Sequence, residues 1–367
     1  MPYESPLLEA HEQLGADFTL FAGWKMPLRY TSAIKETLAV RNSAGIFDVS
    51  HMGRLRIRGP DAARFLNYTT SNQVDAEVGR SRYTLTLNPR GGIKDDDMTF
   101  RLGPEEYIVV VNAASREKIV SWFETIASER EFNVSITDET FESAMLAVQG
   151  PLARERVHEV IGRPVKMKKF RNALIQAYGN QVLISRTGYT GEDGYEVIFW
   201  DASAASRFLR DLVEAGVTPC GLGARDILRL EAGLPLYGTD MTEDTTPVEA
   251  DLMFAVSMEK GEFIGKQAVD EILQTGPAER RVGLKSSSRR APRHGDSLVK
   301  DGEVVGRVTS GVYSPTVGVG VAMGYVRSDL ASPGVDLLAE GVGKIEVQVV
   351  DMPFYDTTRY GWRRKRE

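Results

Sequence analysis

The pattern of secondary-structure signals changes near residue 280, and this change limits the folds that the chain can adopt. Up to about residue 270, helical and strand signals alternate without the regular order of a doubly wound sheet, which favours an α+β arrangement. Beyond residue 280, short apolar stretches separated by turns predict antiparallel strands, and Lys300-Asp-Gly-Glu303 is a strong hairpin-turn signal. The sequence therefore predicts an α+β core and a separate small barrel or sandwich, joined through the linker Gln274–Pro277.

Composition and charge indicate an ordinary globular chain and point to neither a nucleic-acid nor a membrane partner. The 367 residues exceed the roughly 250 to 300 at which a single core stops growing, so two or three domains are expected. The formal charge is only −6, no apolar run approaches ~18 residues, and no secretion signal is expected. The basic run 363–366 is expected to be a solvated tail. The lone Cys220 excludes an internal disulfide and favours the cytoplasm.

Polar residues at the ends of predicted elements give local boundaries. Thr31 or Ser32 is expected to cap a helix that ends at Gly45, and Asp201 is expected to cap a second helix. Asn112 directly follows the apolar run Tyr107-Ile-Val-Val-Val111, which predicts a buried strand. Asn112 is therefore expected at a strand end, where ligand-facing residues are common.

The segment 186–196, with the sequence RTGYTGEDGYE, concentrates charged and aromatic residues around glycines between two predicted strands. Gly188, Gly191 and Gly194 are expected to allow positive φ angles, so that side chains at the edges of the loop converge on a polar ligand. Arg225, in the first turn of a predicted helix, is a second candidate wall of the same pocket. The alternative is a glycine-rich hairpin with a solvated acidic tip.

Three consecutive aspartates follow a Gly-Gly turn, in a strand that is expected to return along Tyr83-Thr-Leu-Thr-Leu87. Alternation along a strand places Asp95 and Asp97 on one face and Asp96 on the other. Burial of Asp96 beside a cavity without a cationic partner would raise its pKa and suit it to proton transfer or to holding a developing cation. The alternative is that all three are solvent-facing turn residues or a weak divalent cation site.

Other signatures of chemistry are excluded on their spacing. The segment 261–266 is one residue short of a phosphate loop, and the glycines in 318–324 have the wrong spacing for a dinucleotide fingerprint. The four histidines are scattered without carboxylate or cysteine partners at ligand spacing, so metal catalysis is a poor interpretation.

Ten segments, in order along nearly the whole chain, closely resemble the glycine cleavage T-protein family, the aminomethyltransferases. They are FAGW at 21–24, DVSHMG at 48–53, GGIKDD at 91–96, VVNAA at 110–114, RTGYTGEDGYE, GLGARDILRLEAGL, YGTDM at 237–241, TTPVEADL at 245–252, FIGK at 263–266 and TSGVYSPT at 309–316. The resemblance implies an α+β, three-domain cloverleaf around a central folate site. Residues 1–275 would form two interleaved α+β domains, and residues 276–367 an antiparallel β-barrel domain.

The implied reaction moves a methylene carbon from an aminomethyl group on the lipoyl arm of H-protein to tetrahydrofolate, releasing ammonia. By position in the matched motifs, Asp96 corresponds to the catalytic carboxylate, and Glu196 and Arg225 to folate-binding residues. The remaining positions that the resemblance places in the folate site are Tyr83, Asn112, Tyr189 and either Arg359 or Tyr360. No metal or redox cofactor is required.

The residue types fit this chemistry. A pterin presents an amide N–H beside an exocyclic amino group, and one carboxylate accepts both hydrogen bonds, which suits Glu196. Cationic nitrogen develops during the transfer, and a buried Asp96 near the folate N5 and N10 would stabilise it and relay a proton. A methanopterin would offer the same edge, and the sequence does not separate the two acceptors.

Three residues depart from the family pattern near Asp96. The family has an apolar residue where Lys94 stands and apolar residues soon after the aspartate pair, where this chain has Asp97 and Thr99. Lys94 and Asp97 would pair with each other or alter the pKa of Asp96. The alternative functions are a folate-dependent demethylase of the same fold and a non-catalytic folate-binding protein. Non-catalytic folate-binding proteins of this fold carry a KGCYxGQE-type segment. The corresponding segment 186–196 of this chain contains no cysteine, so the second alternative lacks support.

Overall fold

The computed structural model describes residues 1–364, so Lys365 and Arg366 of the basic run lie outside the described residues. The described chain forms three open sheets and one closed barrel. The smallest sheet is N-terminal and has the order β1 (Tyr3–Glu4), β3 (Trp24–Arg29), β2 (Asp17–Phe21). No helix within these residues is long and apolar enough to cross a membrane.

A five-stranded antiparallel sheet carries the aspartate run. Its strands, in order across the sheet, are β6 (Ser81–Leu87), β7 (Ile93–Gly103), β8 (Glu106–Val111), β5 (Gly53–Arg58) and β9 (Ser135–Asp138). The predicted hairpin is confirmed, because Leu85 of β6 lies opposite Asp96 of β7.

A six-stranded sheet carries the glycine-rich loop, which joins two of its neighbouring strands. Its order is β11 (Asn172–Ala177), β12 (Asn180–Ser185), β13 (Gly194–Phe199), β10 (Ala144–Gln149), β4 (Gly45–Asp48) and β14 (Thr218–Cys220). Only the pairing of β14 with β4 is parallel. The strands expected on either side of the loop are therefore present.

Eight α-helices and three short 3₁₀ helices complete residues 1–364. The α-helices are α1 (Leu8–Gln13), α2 (Ala33–Asn42), α3 (Ala62–Thr69), α4 (Arg116–Glu129), α5 (Ala153–Ile161), α6 (Ala202–Glu214), α7 (Leu222–Glu231) and α8 (Lys266–Thr275), and the 3₁₀ helices span Thr140–Glu142, Met253–Ala255 and Ser328–Leu330. The predicted caps are confirmed: Ser32 accepts from the backbone N–H of Lys35, and Asp201 accepts from those of Ser203 and Ala204.

The two larger sheets face each other, and this packing creates an interior between them. On one side of the five-stranded sheet, Val109 and Val111 pack against α3 and α4. On its other side, Phe100 and Val110 pack in one cluster with Ile198 of the six-stranded sheet, and residues of α2 and α7 belong to the same cluster. The outer face of the six-stranded sheet is covered by α5 and α6. Strand alternation therefore assigns each side chain either to the helix-covered face or to the interior.

The C-terminal strands close into a six-stranded antiparallel barrel, as the expected fold class requires. Their order is β15 (Glu279–Ser286), β18 (Gly320–Arg327), β17 (Glu303–Tyr313), β16 (Ser297–Lys300), β19 (Asp336–Glu340) and β20 (Lys344–Val350). The barrel is tied to α7 by buried polar contacts. Arg229 donates to Asp240 at 2.6 Å and to Ser310 at 2.8 Å, and Ser314 donates to Glu231 at 2.5 Å.

The expectation of a solvated basic tail is wrong at Arg364. Its guanidinium pairs with the buried Glu192 and donates to the carbonyl of Arg41 at 3.1 Å. The backbone N–H of Gly361 also donates to Glu192, at 2.9 Å. These contacts fasten the end of the described chain to the glycine-rich loop.

Candidate functional site

Three side chains from three different elements project into the interior between the two sheets. Asp96 lies on the same face of β7 as Met98 and Phe100, which pack in the interior. Glu196 lies on the same face of β13 as Ile198, and Arg225 lies on α7 between the interior residues Ala224 and Leu228. Asp96 and Glu196 are half-buried between fully buried strand neighbours, so solvent reaches this interior at the two carboxyls.

Asp96 is held by two neutral donors. Tyr83 donates its hydroxyl to Oδ2 at 3.0 Å, and Asn112 donates its Nδ2 to Oδ1 at 2.7 Å. No cation forms an ion pair with Asp96 within residues 1–364. Burial, followed by the negative charge of Asp95, raises the pKa of Asp96 to about 8. A carboxyl with this pKa exchanges a proton near neutral pH.

Asp95 and Asp97 lie on the helix-covered face, as alternation predicts, and they are almost fully buried at 0% and 1% exposure. Asp95 accepts from the backbone N–H and the Nδ2 of Asn112, both at 2.9 Å, and from Ser115 at 2.5 Å. The alternative of three solvent-facing turn residues is therefore wrong. No group of carboxylates, histidines and cysteines in residues 1–364 is arranged to hold a metal ion.

Lys94 does not pair with Asp97. Its Nζ lies 3.3 Å from Oε2 of Glu243 and 4.6 Å from the centre of the Trp122 ring. Lys118 donates to the other oxygen of Glu243 at 3.0 Å. The two lysines therefore share Glu243, and of the two alternatives for Lys94 and Asp97 the direct pairing is wrong.

Glu196 and Arg225 face each other without forming an ion pair within the described residues. Thr187 donates its hydroxyl to Oε2 of Glu196 at 2.5 Å, and burial raises the pKa of this carboxyl. Arg225 is only 9% exposed, and its Nη1 has no hydrogen-bond partner. Burial lowers the pKa of its guanidinium, which the charge of Glu196 partly offsets. An unpartnered buried donor beside an incompletely satisfied carboxylate is a binding point for a polar ligand.

Two tyrosines line the same interior. The guanidinium of Arg225 lies 5.0 Å from the centre of the Tyr189 ring, and the Tyr189 hydroxyl donates to the carbonyl of Pro235 at 2.5 Å. Tyr83, which donates to Asp96, also stacks on Phe254 with 5.8 Å between ring centres. Phe254 is 72% exposed, so its ring lies where the site meets solvent.

The glycine-rich loop is shaped mainly by close approach. Of its three glycines only Gly191 has a positive φ, of 76°, so the expectation for Gly188 and Gly194 is wrong. A Cβ on Gly188 would lie 2.0 Å from Gln149, and one on Gly194 would lie 2.1 Å from the carbonyl of Val148. These two glycines are needed because other groups occupy the space of a side chain.

The acidic residues of the loop are not a solvated tip. Glu192 is buried and pairs with Arg41 at 3.0 Å, and Asp193 pairs with Arg186 at 2.6 Å. Arg186 also donates to the carbonyl of Met167 at 2.9 Å. The loop is therefore fixed on both sides, and it holds Tyr189 and Glu196 in place.

Comparison with known proteins agrees with this architecture. The GCVT N-terminal domain matches residues 7–260, and the glycine cleavage T-protein C-terminal barrel domain matches residues 279–356. The chain belongs to the glycine cleavage T-protein family. Among its relatives, the aminomethyltransferases of Saccharopolyspora erythraea and Cutibacterium acnes are each 42% identical over 96% of this chain and 98% of theirs. The glycine cleavage system aminomethyltransferase T of Bartonella henselae superimposes with a TM-score of 0.92 at 38% identity, covering 98% of this chain and 100% of that chain.

These findings confirm the family and the fold class that the sequence motifs indicated, and this T-protein family member is an aminomethyltransferase. Relatives that span nearly the whole chain carry that name, and nothing in the structure favours the demethylase or the non-catalytic alternative. The individual site roles and the domain division at residue 275 stay predictions. The structure brings together Asp96, Glu196, Arg225, Tyr83, Asn112 and Tyr189.

Arg359 is not brought to this group. Its side chain is exposed, and its guanidinium lies 5.6 Å from the ring of Tyr360, which in turn packs against Tyr355. Sequence reasoning missed His51 of the DVSHMG segment, which is 2% exposed with an unpartnered Nδ1. Burial and the charge of Arg225 lower the pKa of His51 to about 3, so it stays neutral beside the site. Its place inside a matched motif was the only signal for it.

Proposed function

We propose that the chain moves the methylene carbon of an aminomethyl group, carried on the lipoyl arm of H-protein, to tetrahydrofolate. Ammonia, 5,10-methylenetetrahydrofolate and the dihydrolipoyl form of H-protein are the products. The observation that carries the proposal is the raised pKa of Asp96, about 8, in an interior that solvent reaches and that Glu196 and Arg225 also line. Family membership supports the reaction class.

Glu196 and Arg225 would recognise the pterin. The carboxylate of Glu196 has one oxygen engaged by Thr187, and its remaining acceptor positions suit the paired N–H donors of a pterin edge. Arg225 contributes an unpartnered donor on a ring-stacked guanidinium, which suits a carbonyl oxygen of the same ring system. Both groups are held before a ligand arrives, so little ordering is required on binding.

Asp96 would act first as the proton donor and then, as a carboxylate, as the negative charge that stabilises the developing cation. With a pKa of about 8 it is mainly protonated at neutral pH, so it gives its proton to the nitrogen that leaves as ammonia. The carboxylate that remains faces the positive charge that develops on the transferred carbon and on N5, which forms its bond to carbon as ammonia leaves. The carbon–sulfur bond breaks when N10 closes the ring, and the two protons lost by N5 and N10 restore the Asp96 carboxyl and protonate the lipoyl thiol. Tyr83 and Asn112 keep the carboxyl in one orientation through both stages.

Tyr83 and Phe254 would form the wall where the acceptor enters. Their stacked rings lie between Asp96 and solvent, and the exposed face of Phe254 suits the aromatic ring that follows the pterin in folates. Arg359 or Tyr360 would contact the distal carboxylates of the acceptor, and Arg359, although it lies outside the group around Asp96, is exposed. A methanopterin acceptor would use the same edge contacts with Glu196.

The test is a comparison of Asp96→Asn with Glu196→Gln and with Asp329→Asn, an exposed barrel variant that serves as control. Ammonia release from aminomethylated H-protein is measured with tetrahydrofolate, and acceptor binding is measured by titration. Asp96→Asn should bind tetrahydrofolate and lose 10²-fold or more in rate, which is typical of an acid–base residue. Turnover equal to that of the control would contradict the role of Asp96. Turnover with a methanopterin and not with tetrahydrofolate would reassign the acceptor.

The chain would act in the cytoplasm. Its single cysteine, Cys220, is a buried free thiol, which suits a reducing compartment. Burial raises the pKa of this thiol well above its usual value, so it stays protonated and takes no part in transfer.

A further inference from the structure

Asp97 is the third carboxyl of the aspartate run and a point where this chain departs from the family pattern. It is 1% exposed on the helix-covered face, on the opposite side of β7 from Asp96. Thr86 donates its hydroxyl to Oδ2 of Asp97 at 2.5 Å. Among residues 1–364, Oδ1 of Asp97 has no donor, and the carboxyl lies within hydrogen-bonding reach of that of Asp95.

One of the two buried carboxyls, that of Asp95 or that of Asp97, must stay protonated. Neither forms an ion pair with a cation in residues 1–364, so nothing there compensates two adjacent negative charges. Like charges this close inside a protein do not both ionise, and one carboxyl keeps its proton. Asp95 accepts three hydrogen bonds from Asn112 and Ser115, whereas Asp97 accepts one from Thr86. The negative charge is therefore more stable on Asp95, and the proton belongs to Asp97.

We propose that Asp97 is a positioning residue for Asp96: its protonated carboxyl donates to Asp95, holds Asp95 as an anion, and through that charge keeps Asp96 protonated. Asn112 connects the two faces, because its Nδ2 donates to Oδ1 of Asp95 at 2.9 Å and to Oδ1 of Asp96 at 2.7 Å. This inference rests on the proposed function in one respect, namely that Asp96 is the group whose proton is used.

The pKa values run in the direction that this arrangement requires. Burial and the charge of Asp95 raise the pKa of Asp97 well above its usual value. Burial also raises the pKa of Asp95, but hydrogen bonds from Ser115, Asn112 and Asp97 limit it to about 6.

Other ionisable groups near the run do not supply a counter-charge. Tyr237, on the loop that follows α7, interacts electrostatically with Asp95, and its hydroxyl accepts a hydrogen bond from Lys118 of α4. Lys118 and Lys94 both pair with Glu243, and Tyr83 and Tyr189 face Asp96 from the interior with their pKa values raised by burial.

Two substitutions distinguish the hydrogen bond that Asp97 donates to Asp95 from a charge on Asp97. Asp97→Asn retains a donor toward Asp95 and cannot ionise, whereas Asp97→Leu removes the donor. Without the donor, the pKa of Asp95 should rise, Asp95 should become neutral near pH 7, and Asp96 should lose the neighbouring charge that raises its own pKa. We expect the pKa of Asp96 to stay within experimental error in Asp97→Asn and to fall by about 1 pH unit in Asp97→Leu, the scale of one nearby charge.

The measurement is a carboxyl NMR titration of ligand-free protein labelled with ¹³C at aspartate, with the Asp96 resonance assigned from Asp96→Asn. Circular dichroism checks that each variant is folded, and Asp329→Asn is the control for labelling and handling. Equal shifts in Asp97→Asn and Asp97→Leu would mean that Asp97 acts as a charge, and no shift in either would mean that it is structural only. Both outcomes overturn the inference.

If Asp97→Leu does not fold, infrared spectra decide. The wild type should show one more carbonyl band from a protonated acid at pH 7 than Asp97→Asn, and an unchanged band overturns the inference.

The pH profile of ammonia release then separates this inference from the proposed function. If both the inference and the proposed function are correct, the pH at which the rate falls on the alkaline side should decrease in Asp97→Leu, together with the pKa of Asp96. In Asp97→Asn this pH should not change. If the NMR shift occurs and Asp96→Asn turns over at the control rate, the function of Asp96 fails and the role of Asp97 stands. If Asp96→Asn is inactive and the NMR pattern is absent, the role of Asp97 fails and the function stands.

Discussion

The raised pKa of Asp96 predicts that the site lowers the stability of the protein at neutral pH. A carboxyl with a pKa of about 8 when folded and about 3.9 when unfolded contributes stability that is fully present below pH ~4 and is lost as the pH rises to ~8. At pH 7 the loss is at most about 4 kcal/mol, from about 1.4 kcal/mol for each pH unit above the unfolded pKa. Because Asp96 is only half-buried, solvent screening reduces this to about 2 kcal/mol.

Substituting Asp96 by Asn removes the ionisable group and should therefore stabilise the ligand-free protein at pH 7 by about 2 kcal/mol. The gain should disappear near pH 4, where the wild-type carboxyl is protonated in both states. Urea unfolding at several pH values between 4 and 8 measures this, with Asp329→Asn as the exposed control. A stabilisation that is equal at all pH values would show that the effect comes from packing, and a destabilisation at pH 7 would refute the raised pKa itself.

Four further perturbations test other parts of the structure. Glu196→Ala should weaken tetrahydrofolate binding by about 2 kcal/mol or more in a calorimetric titration, because a charged hydrogen bond to the pterin is lost, and equal affinity would remove Glu196 from the pocket. Arg41→Met leaves Glu231 without a cation and Glu192 paired with Arg364 alone, and it should cost about 3 kcal/mol or more in chemical unfolding. Gly194→Ala should lower the melting temperature by several degrees, since its Cβ would lie 2.1 Å from the carbonyl of Val148. Asp201→Ala should cost about 1 kcal/mol through the lost cap of α6.

The parts of the fold that the sequence predicted well are those decided by local physics. Ser32 and Asp201 cap their helices because a short polar side chain meets free backbone N–H groups wherever the chain starts a helix. The hairpin that carries Asp96 follows from alternation and a Gly-Gly turn, which also assigned Asp96 and Asp97 to opposite faces. The change to a barrel near residue 280 followed from the spacing of turns.

The parts that failed depend on partners far away in the sequence. Gly188 and Gly194 are glycines because Gln149 and Val148 occupy the space beside them, which no local pattern shows. Arg364 is fastened by Glu192, a residue that the sequence places in a distant loop. Lys94 turns to Glu243, because alternation gives the face of a side chain and not the identity of its partner.

Some of the matched motifs line the interior between the two larger sheets, and others connect the helices and strands that surround it. Asp240, in the YGTDM segment, accepts hydrogen bonds from Arg229 of α7 at 2.6 Å and from Ser310 of the barrel at 2.6 Å. Arg225 lies one turn before Arg229 on the same helix and projects into the site. One helix therefore connects the barrel to the guanidinium of Arg225, which we propose binds the pterin. Because α7 is fixed by buried charges at one end, a substitution at Asp240 should alter folate affinity through Arg225 without touching the ligand, and Asp240→Asn, measured by the same titration as Glu196→Ala, would show whether the two are coupled.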